Sequence, residues 1–167
     1  FFACVGFSET HRTYDRPLGE DPRSVQTPPY LPDHRVVRED VGMLNSEVRA
    51  VDEAVGRIEA ALANADLTEH TLVIYTTDHG IAFPHAKATL FDPGIETALL
   101  MRGPGSFAGG KVIDRLVSGV DFTPTLLEVA GAQVPDGLDG RSLLPLVENP
   151  DPDWRDHIFC QLTYHAG

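Results

Sequence analysis

A continuous apolar run from Leu72 to Tyr75 constrains the fold of this chain more than any other feature. A short run without polar alternation is typical of a strand that is covered on both faces, as in parallel sheets. The run leads directly to Asp78 and His79, and Gly80 then allows the backbone to turn sharply. An isolated aspartate would be a turn residue or a helix cap. Because ligands bind at the carboxyl edge of such sheets, the pair predicts a functional site.

A long apolar stripe predicts a helix from about Arg38 to Ala65. Its residues recur at helical spacing and are Val41, Leu44, Val48, Val51, Val55, Ile58 and Leu62. A coiled coil would show a similar stripe, but flanking strands favour a helix packed on a sheet. The other predicted elements are strands over 1–7, 97–101 and 117–120, a helix that Thr123 caps and Gly131 ends, and a helical turn over 143–147. The order of elements predicts an α/β fold with a largely parallel sheet.

Composition narrows the classes of partner. The 167 residues carry a net charge of -12, which argues against nucleic acid or an anionic membrane surface as the main partner. No apolar run reaches the roughly 20 residues of a membrane span, and no targeting segment indicates a compartment. The cysteines Cys4 and Cys160 form no CxxC pair, so they predict neither a zinc site nor a disulfide framework.

Both ends of the chain read as strands. Phe1 to Phe7 is strand-like from the first residue, and Ile158 to Leu162 is strand-like near the last. Free termini are usually polar and loosely held. We therefore expect residues 1–167 to be one domain that is truncated at both ends. An exposed sheet edge would then favour homo-oligomers or aggregates.

Polar residues from separate segments are expected to meet at one edge of the sheet. If strands 1–7 and 72–77 are parallel, then His11 lies near Asp78 and His79. Asp78 would be a hard oxygen ligand and His79 a softer nitrogen ligand that suits Zn, Mn or Fe, while Lys87 would neutralise a bound oxyanion. These residues predict a metal or anion site. Taken singly, His11 is equally compatible with an exposed loop, and Lys87 with an ordinary surface lysine.

The ordered motifs of the chain resemble the sulfatase family of the alkaline phosphatase superfamily. The segment from Thr76 to Gly80, with Lys87 and then Leu90 to Gly94, resembles the second conserved region of that family. Phe83-Pro84 and Asp92-Pro93-Gly94 are most similar to its N-sulfoglucosamine sulfohydrolase (heparan N-sulfatase) branch. Other segments that resemble family motifs, in the same order, are 1–11, 48–56, 120–127 and 138–143.

The resemblance implies a fold, an activity and a role for each site residue. The fold would be part of an alkaline-phosphatase-like three-layer sandwich with a mostly parallel sheet. The activity would be hydrolysis of a sulfate ester or sulfamate, with an N-sulfated or O-sulfated sugar as substrate. Asp78 and His79 would bind a divalent cation, usually Ca²⁺, although Mn²⁺ or Zn²⁺ stays open because many members have Asn in place of His79. Lys87 would contact the sulfate, and His11 would face the leaving group or the sulfate oxygens.

One departure from the family pattern concerns the nucleophile. Sulfatases use a formylglycine that is made from the cysteine of a Cys-x-Pro-x-Arg or Cys-x-Ala-x-Arg segment, and neither Cys4 nor Cys160 begins one. Counterparts of the family's N-terminal acidic metal ligands are also missing. The resemblance therefore covers the middle and later part of a catalytic domain, and it implies that the formylglycine belongs to an upstream region. Residues 1–167 alone are expected to be inactive.

Two other functions stay open at this point. A phosphodiesterase or phosphonate hydrolase of the same superfamily would accommodate Asp78 and His79 equally well. Phosphate and sulfate are nearly isosteric oxyanions, so the spacing of the motifs does not decide between them. A non-catalytic metal-binding module that retained the fold is the third hypothesis, and the missing nucleophile favours it.

Overall fold

A computed structural model describes residues 1–149 and 153–163. Within these residues the chain forms two compact units. Unit 1 comprises Phe1–Thr68, Thr76–Ala98 and the two residues Leu162 and Thr163, and unit 2 comprises Glu69–Tyr75 and the described part of Leu99–Gln161. Unit 1 contains all four of the residues that the sequence predicts to form a site.

Unit 1 is built on helix α1, Arg35–Asn64. His34 caps the helix, since its Nδ1 accepts a hydrogen bond from the amide of Val36 at 3.3 Å. The predicted helix is confirmed and begins three residues earlier than the apolar stripe indicated. Buried Val41 and Leu44 come from that stripe. They form the core of the unit with Tyr14, Val25 and Leu31 from the loop before α1 and with Phe83 from the loop after β1.

The loop that precedes α1 is attached to it through a buried carboxylate. Glu47 is only 3% exposed, yet it accepts hydrogen bonds from the backbone amides of Asp15 and Arg16 at 3.0 and 2.8 Å. The guanidinium of Arg16 donates to its other oxygen at 3.1 Å. Because a buried charge is tolerated only when it is paired and hydrogen-bonded, these contacts fix the path of the chain that leads away from His11.

The two described strands are β1, Val73–Thr76, and β2, Leu99–Arg102. They pair with each other in a two-stranded antiparallel sheet. The direction follows from the contacts at the two ends: the amide of Thr77 donates to the carbonyl of Ala98, and Gly103 lies against Leu72. The prediction of a parallel sheet is therefore not met by the strands in the described part of the chain.

Unit 2 contains helices α3, Phe122–Val129, and α4, Leu144–Glu148. A single-turn 3₁₀ helix, Gly119–Asp121, precedes α3, so the predicted strand over 117–120 is wrong. Asp121 rather than Thr123 stands at the N-terminal cap position, because the 3₁₀ turn runs directly into the helix. Gly131, with φ of +67°, ends α3 as predicted. The second α-helix of the chain, α2, Asp92–Ile95, is short and belongs to unit 1.

The prediction of a buried strand over residues 1–7 is wrong. These residues form no strand, and Phe1 and Phe2 are 87% and 78% exposed. An isolated segment cannot satisfy its backbone groups by pairing, so β-propensity alone does not make a strand. The strand-like segment 158–162 likewise forms none. Among the described helices, none is sufficiently long and apolar to cross a membrane.

Candidate oxyanion and cation site

The turn after β1 is possible only with glycine at position 80. The amide of Gly80 donates to the carbonyl of Gly94 at 3.1 Å. A Cβ atom at position 80 would lie 1.7 Å from the carbonyl oxygen of Pro93, so no other residue fits. The contact folds the segment 78–95 back on itself and brings both of its ends together at the end of β1. We call this segment the site loop.

Lys87 occupies a defined position within the site loop. Its backbone amide donates to the carbonyl of Ile81 at 3.0 Å, and the amide of Ala86 donates to the carbonyl of Phe83 at 3.2 Å. Ala86 is fully buried and Phe83 is 7% exposed. The backbone on the N-terminal side of Lys87 is therefore packed and hydrogen-bonded, which restricts where its side chain can reach.

The side chain of Lys87 meets His11 of the N-terminal loop. Its Nζ lies 3.2 Å from Nε2 of His11, and Nδ1 of His11 lies 2.6 Å from the carbonyl oxygen of Arg12. A carbonyl only accepts, so Nδ1 carries the proton in the neutral ring. Nε2 is then left with a lone pair, which accepts a hydrogen bond from the Lys87 ammonium. We call Lys87 and His11 the cationic pair. Nε2 of His11 is the ring nitrogen of this pair that can take up a proton.

Asp78 and His79 form a second pair at the start of the site loop. Nδ1 of His79 lies 2.8 Å from the carbonyl oxygen of Gly80, which requires a proton on Nδ1. Nε2 of His79 lies 3.3 Å from Oδ2 of Asp78. In the neutral ring both of these atoms would be acceptors, and two acceptors at this distance repel each other. A cation placed between them would satisfy both acceptors.

The donor set of the second pair fits a divalent cation in part. A carboxylate oxygen and an imidazole nitrogen about 3 Å apart match neighbouring ligands of one ion at about 2.0 to 2.5 Å from each. Asp78 is 85% exposed, so its oxygens are accessible. Within residues 1–149 and 153–163, however, no group of at least three His, Cys, Asp or Glu side chains is arranged to hold a metal ion. The described chain therefore offers two protein ligands to such an ion.

The structure thus joins His11 to Lys87 and Asp78 to His79, and the backbone of the site loop connects the two pairs. The sequence predicted that His11 follows a strand that lies parallel to β1. That prediction is wrong, because residues 1–7 form no strand. His11 reaches the loop through a bend instead, in which its amide donates to the carbonyl of Ser8 at 2.9 Å. The roles of all four residues in binding or catalysis stay predictions.

Sequence reasoning missed Arg12, whose side chain contacts both the site loop and α1. It donates to the carbonyl of Ala82 in the site loop at 2.8 Å and to the carboxylate of Asp40 on α1. Asp40 lies 28 positions away along the chain, and no local pattern indicates such a pair. The only available signal was its position directly after His11.

Comparison with proteins of known sequence and structure identifies the class to which this chain belongs. Human N-sulphoglucosamine sulphohydrolase is 33% identical over 159 residues, which cover 89% of this chain and 31% of that protein. Arylsulfatase K of the dog is 42% identical over 110 residues, which cover 64% of this chain and 20% of that protein. The chain thus spans less than a third of the length of either relative. These similarities define the sulfatase class within the α/β alkaline phosphatase superfamily.

A narrower assignment follows from a family profile described as N-sulphoglucosamine sulphohydrolase, C-terminal, which matches residues 79–166. The chain belongs to the N-sulphoglucosamine sulphohydrolase family of sulfatases. This confirms the resemblance that the motifs indicated. The match begins at His79 and includes the rest of the site loop with Lys87.

Two solved structures share the fold. A phosphonate monoester hydrolase from Silicibacter pomeroyi superposes with a TM-score of 0.61 at 32% identity, covering 81% of this chain and 28% of that one. BT4656, solved in complex with its substrate D-glucosamine-2-N,6-O-disulfate, superposes with a TM-score of 0.56 at 27% identity and covers 72% of this chain and 25% of that one.

Proposed function

We propose that this chain provides the oxyanion-binding side of a sulfatase-type active site that hydrolyses a sulfate ester or sulfamate. The contact between Lys87 Nζ and His11 Nε2, at 3.2 Å, carries the proposal. It joins an ammonium and an imidazole from distant segments, on a loop whose backbone is held by hydrogen bonds. An oxyanion that binds there would accept hydrogen bonds from the Lys87 ammonium, and from His11 only when Nε2 also carries a proton.

The chemistry of the pair suits the transfer of a sulfuryl group. Negative charge develops on the leaving oxygen or nitrogen as its bond to sulfur breaks, and prearranged positive charge stabilises that state. The Lys87 ammonium has three hydrogens, so it can bind a sulfate oxygen and His11 simultaneously. If Nε2 takes up a proton from solvent, it gives up the hydrogen bond from Lys87, and His11 can then donate that proton to the leaving group. The hydrogen bond from Nδ1 to the Arg12 carbonyl keeps the ring oriented for this transfer.

Asp78 and His79 would hold a divalent cation, which would offset the charge of the sulfate group when bound. Ca²⁺ is the ion that the family resemblance implies, whereas an imidazole ligand favours Mn²⁺ or Zn²⁺. The remaining ligands and the formylglycine would come from a region outside this chain, as would the further strands of a three-layer sandwich with a mostly parallel sheet. The isolated chain is therefore expected to bind an oxyanion without turning over sulfate esters.

A sulfated amino sugar is the substrate class that the relatives favour. One relative is named N-sulphoglucosamine sulphohydrolase, and a structural neighbour was solved with a glucosamine disulfate as its substrate. The family profile that carries the same name matches residues 79–166, which include Lys87. A phosphonate or phosphate ester is the second candidate, because the phosphonate monoester hydrolase has the same fold at 32% identity.

The test is a titration of the chain with sulfate, N-sulfoglucosamine and methylphosphonate, with and without a divalent cation, followed by NMR of the Lys87 and His11 side chains. We expect N-sulfoglucosamine to shift the signals of both side chains, and to bind about tenfold more weakly to Lys87→Ala, which loses a charge-assisted hydrogen bond. Arg35→Ala is the matched control, since Arg35 is 80% exposed on α1 and its removal changes the net charge equally.

Each result has a defined meaning. Tighter binding of N-sulfoglucosamine would support the sulfatase proposal. Tighter binding of methylphosphonate would instead support hydrolysis of a phosphonate ester. Equal losses in Lys87→Ala and Arg35→Ala would show that only net charge attracts the anion, and the proposed site would then be wrong. Cation binding without any anion binding would favour the metal-binding module.

A further inference from the structure

Arg12 connects the segment that contains His11 to two other parts of unit 1. Its Nε donates to the carbonyl oxygen of Ala82 at 2.8 Å, and Ala82 belongs to the site loop. Its Nη1 donates to Oδ1 of Asp40 at 3.0 Å, and its Nη2 donates to the other carboxylate oxygen. One guanidinium thus ties the N-terminal loop, α1 and the site loop together.

Two aromatic rings fix the plane of this guanidinium. Its central carbon lies 4.7 Å from the ring centroid of Tyr14 and 4.6 Å from that of Phe83, within the range of cation–π contacts. Both rings are buried in the core of unit 1. A planar fork that is stacked and also paired with a carboxylate through two hydrogen bonds has little freedom left. The hydrogen bond with Asp40 raises the pKa of Arg12 further, so its charge is permanent.

These contacts act on both members of the cationic pair. Ala82 directly follows Ile81, whose carbonyl accepts the backbone amide of Lys87 at 3.0 Å. The side chain of Arg12 therefore holds the part of the site loop to which Lys87 is bonded. The backbone carbonyl of Arg12 accepts the proton of His11 Nδ1. The side chain of Arg12 thus holds the loop that contains Lys87, and by anchoring residue 12 it also holds the backbone carbonyl that orients the His11 ring.

We infer that Arg12 is a positioning residue, which holds His11 against Lys87 and keeps His11 in the tautomer whose Nε2 accepts from the ammonium. The inference deepens the proposed function. Only the experiment that measures N-sulfoglucosamine affinity rests on that function. Lysine would not replace this arginine, because an ammonium cannot bond Ala82 and both oxygens of Asp40 in one plane. The function of Arg12 would therefore be geometric rather than a matter of charge.

The first experiment examines the His11 ring in the absence of any anion. The ¹⁵N shifts of the imidazole distinguish the two neutral tautomers. We expect the intact chain to show the form protonated at Nδ1, and Arg12→Ala and Arg12→Lys to show a mixture dominated by the form protonated at Nε2. Arg23→Ala is the control, because Arg23 is 90% exposed and pairs only locally with Asp21 in the described contacts. Unchanged His11 shifts in both Arg12 variants would overturn the inference.

The second experiment is a double-mutant cycle between Arg12 and His11, with N-sulfoglucosamine affinity as the readout. If Arg12 acts through His11, then Arg12→Ala should weaken binding about tenfold in the chain with His11 and less than about twofold in His11→Ala. A merely structural loss would weaken binding equally in both backgrounds, and that result would contradict the inference. Asp40→Asn, which leaves Arg12 in place, is the second variant if Arg12→Ala does not fold, and it should weaken binding in the same way.

The two experiments separate the inference from the proposed function. If the chain binds no N-sulfoglucosamine, the proposed function fails, and the tautomer of His11 still decides the role of Arg12. If N-sulfoglucosamine binds and Lys87→Ala abolishes it while Arg12→Ala changes neither His11 nor the affinity, the proposed function stands and the inference about Arg12 is wrong.

Discussion

Nζ of Lys87 lies 3.2 Å from Nε2 of His11, although 76 positions of the chain separate the two residues. The ammonium therefore has a neutral partner in the absence of an anion. An oxyanion that binds at this pair adds a charge-assisted hydrogen bond without first breaking an ion pair, so the affinity gained is not offset by a lost salt bridge. The pair is thus arranged in the absence of any bound anion.

His11→Gln tests the contribution of the imidazole to this pair. Glutamine can still accept from Lys87 but cannot hold a proton at the position of Nε2. We expect sulfate affinity to fall by less than about threefold, whereas a protein that contains the complete catalytic region should lose about 10² or more in kcat. Isothermal titration and steady-state kinetics measure the two effects. A His11→Gln enzyme with unchanged kcat would exclude proton transfer by His11.

Asp78→Asn and His79→Ala test the cation pair. Each substitution removes one of two protein ligands, so we expect either one to weaken Mn²⁺ binding by about 10-fold or more. Electron paramagnetic resonance of Mn²⁺ measures the free ion directly, and competition with Ca²⁺ ranks the two metals. Asp136→Asn is the control, because Asp136 is exposed in a turn of unit 2. Mn²⁺ binding that survives both site variants would contradict the assignment.

Tyr14 should make the free energy of unfolding decline at alkaline pH. Burial raises its pKa above the ordinary value of 10.0. The folded state therefore keeps this proton longer than the unfolded state, so the stabilisation is complete below about pH 10 and is lost as the pH rises through the folded pKa. Urea unfolding between neutral and alkaline pH should show that decline in the intact chain and a smaller one in Tyr14→Phe.

The same variant has a second expected effect at neutral pH. The hydroxyl of Tyr14 is buried without a hydrogen-bond partner among the described residues. Removing an unsatisfied buried group should leave the free energy of unfolding unchanged or raise it by about 1 kcal/mol. Burial also raises the pKa of Tyr30, so Tyr30→Phe should reduce the alkaline decline as well, and measuring both variants divides the decline between the two tyrosines. A large loss of stability in Tyr14→Phe would reveal a bond that the structure does not contain.

Among the described polar residues of unit 2, Asp121 should be the one whose substitution lowers the free energy of unfolding most. Its side chain is fully buried and receives Arg155 Nη1 and Nη2 at 2.9 and 2.7 Å, together with the amides of Ser118 and Arg141. Asp121→Asn keeps the shape but leaves the mostly buried Arg155 without its counter-charge. We expect a loss of about 3 to 5 kcal/mol in the free energy of unfolding, measured by urea denaturation.

The exposed Asp114→Asn serves as the control for Asp121 and should change stability by less than about 0.5 kcal/mol. Asp114 differs from Asp121 only in its surroundings, so the comparison isolates burial. A similar small effect at Asp121 would mean that Arg155 finds another partner. In that case the buried pair would not be what holds the start of α3 in place.

Local sequence patterns were sufficient for the elements whose causes are local. The apolar stripe of α1, the apolar run of β1 and Gly131 after α3 each act through neighbours a few positions away, and the structure confirms the helix, the strand and the helix end. The strand is half-buried, however, and is not covered on both faces as its continuous apolar run predicted. The motif from Thr76 to Lys87 also indicated the family, which the comparisons confirm. Patterns failed at residues 1–7 and 117–120, because a strand needs a partner that the local sequence does not specify.

By itself, the sequence determined the residue types of the site and the loop that holds Asp78, His79 and Lys87, since a glycine turn and a short spacing place them. Only the tertiary structure decided that His11 meets Lys87 and that Arg12 lies between two rings and a helix carboxylate. Apart from the stacking of Arg12 on Tyr14, those contacts join residues tens of positions apart. Their energy depends on packing that forms only when the core of unit 1 has assembled, and no local preference records it.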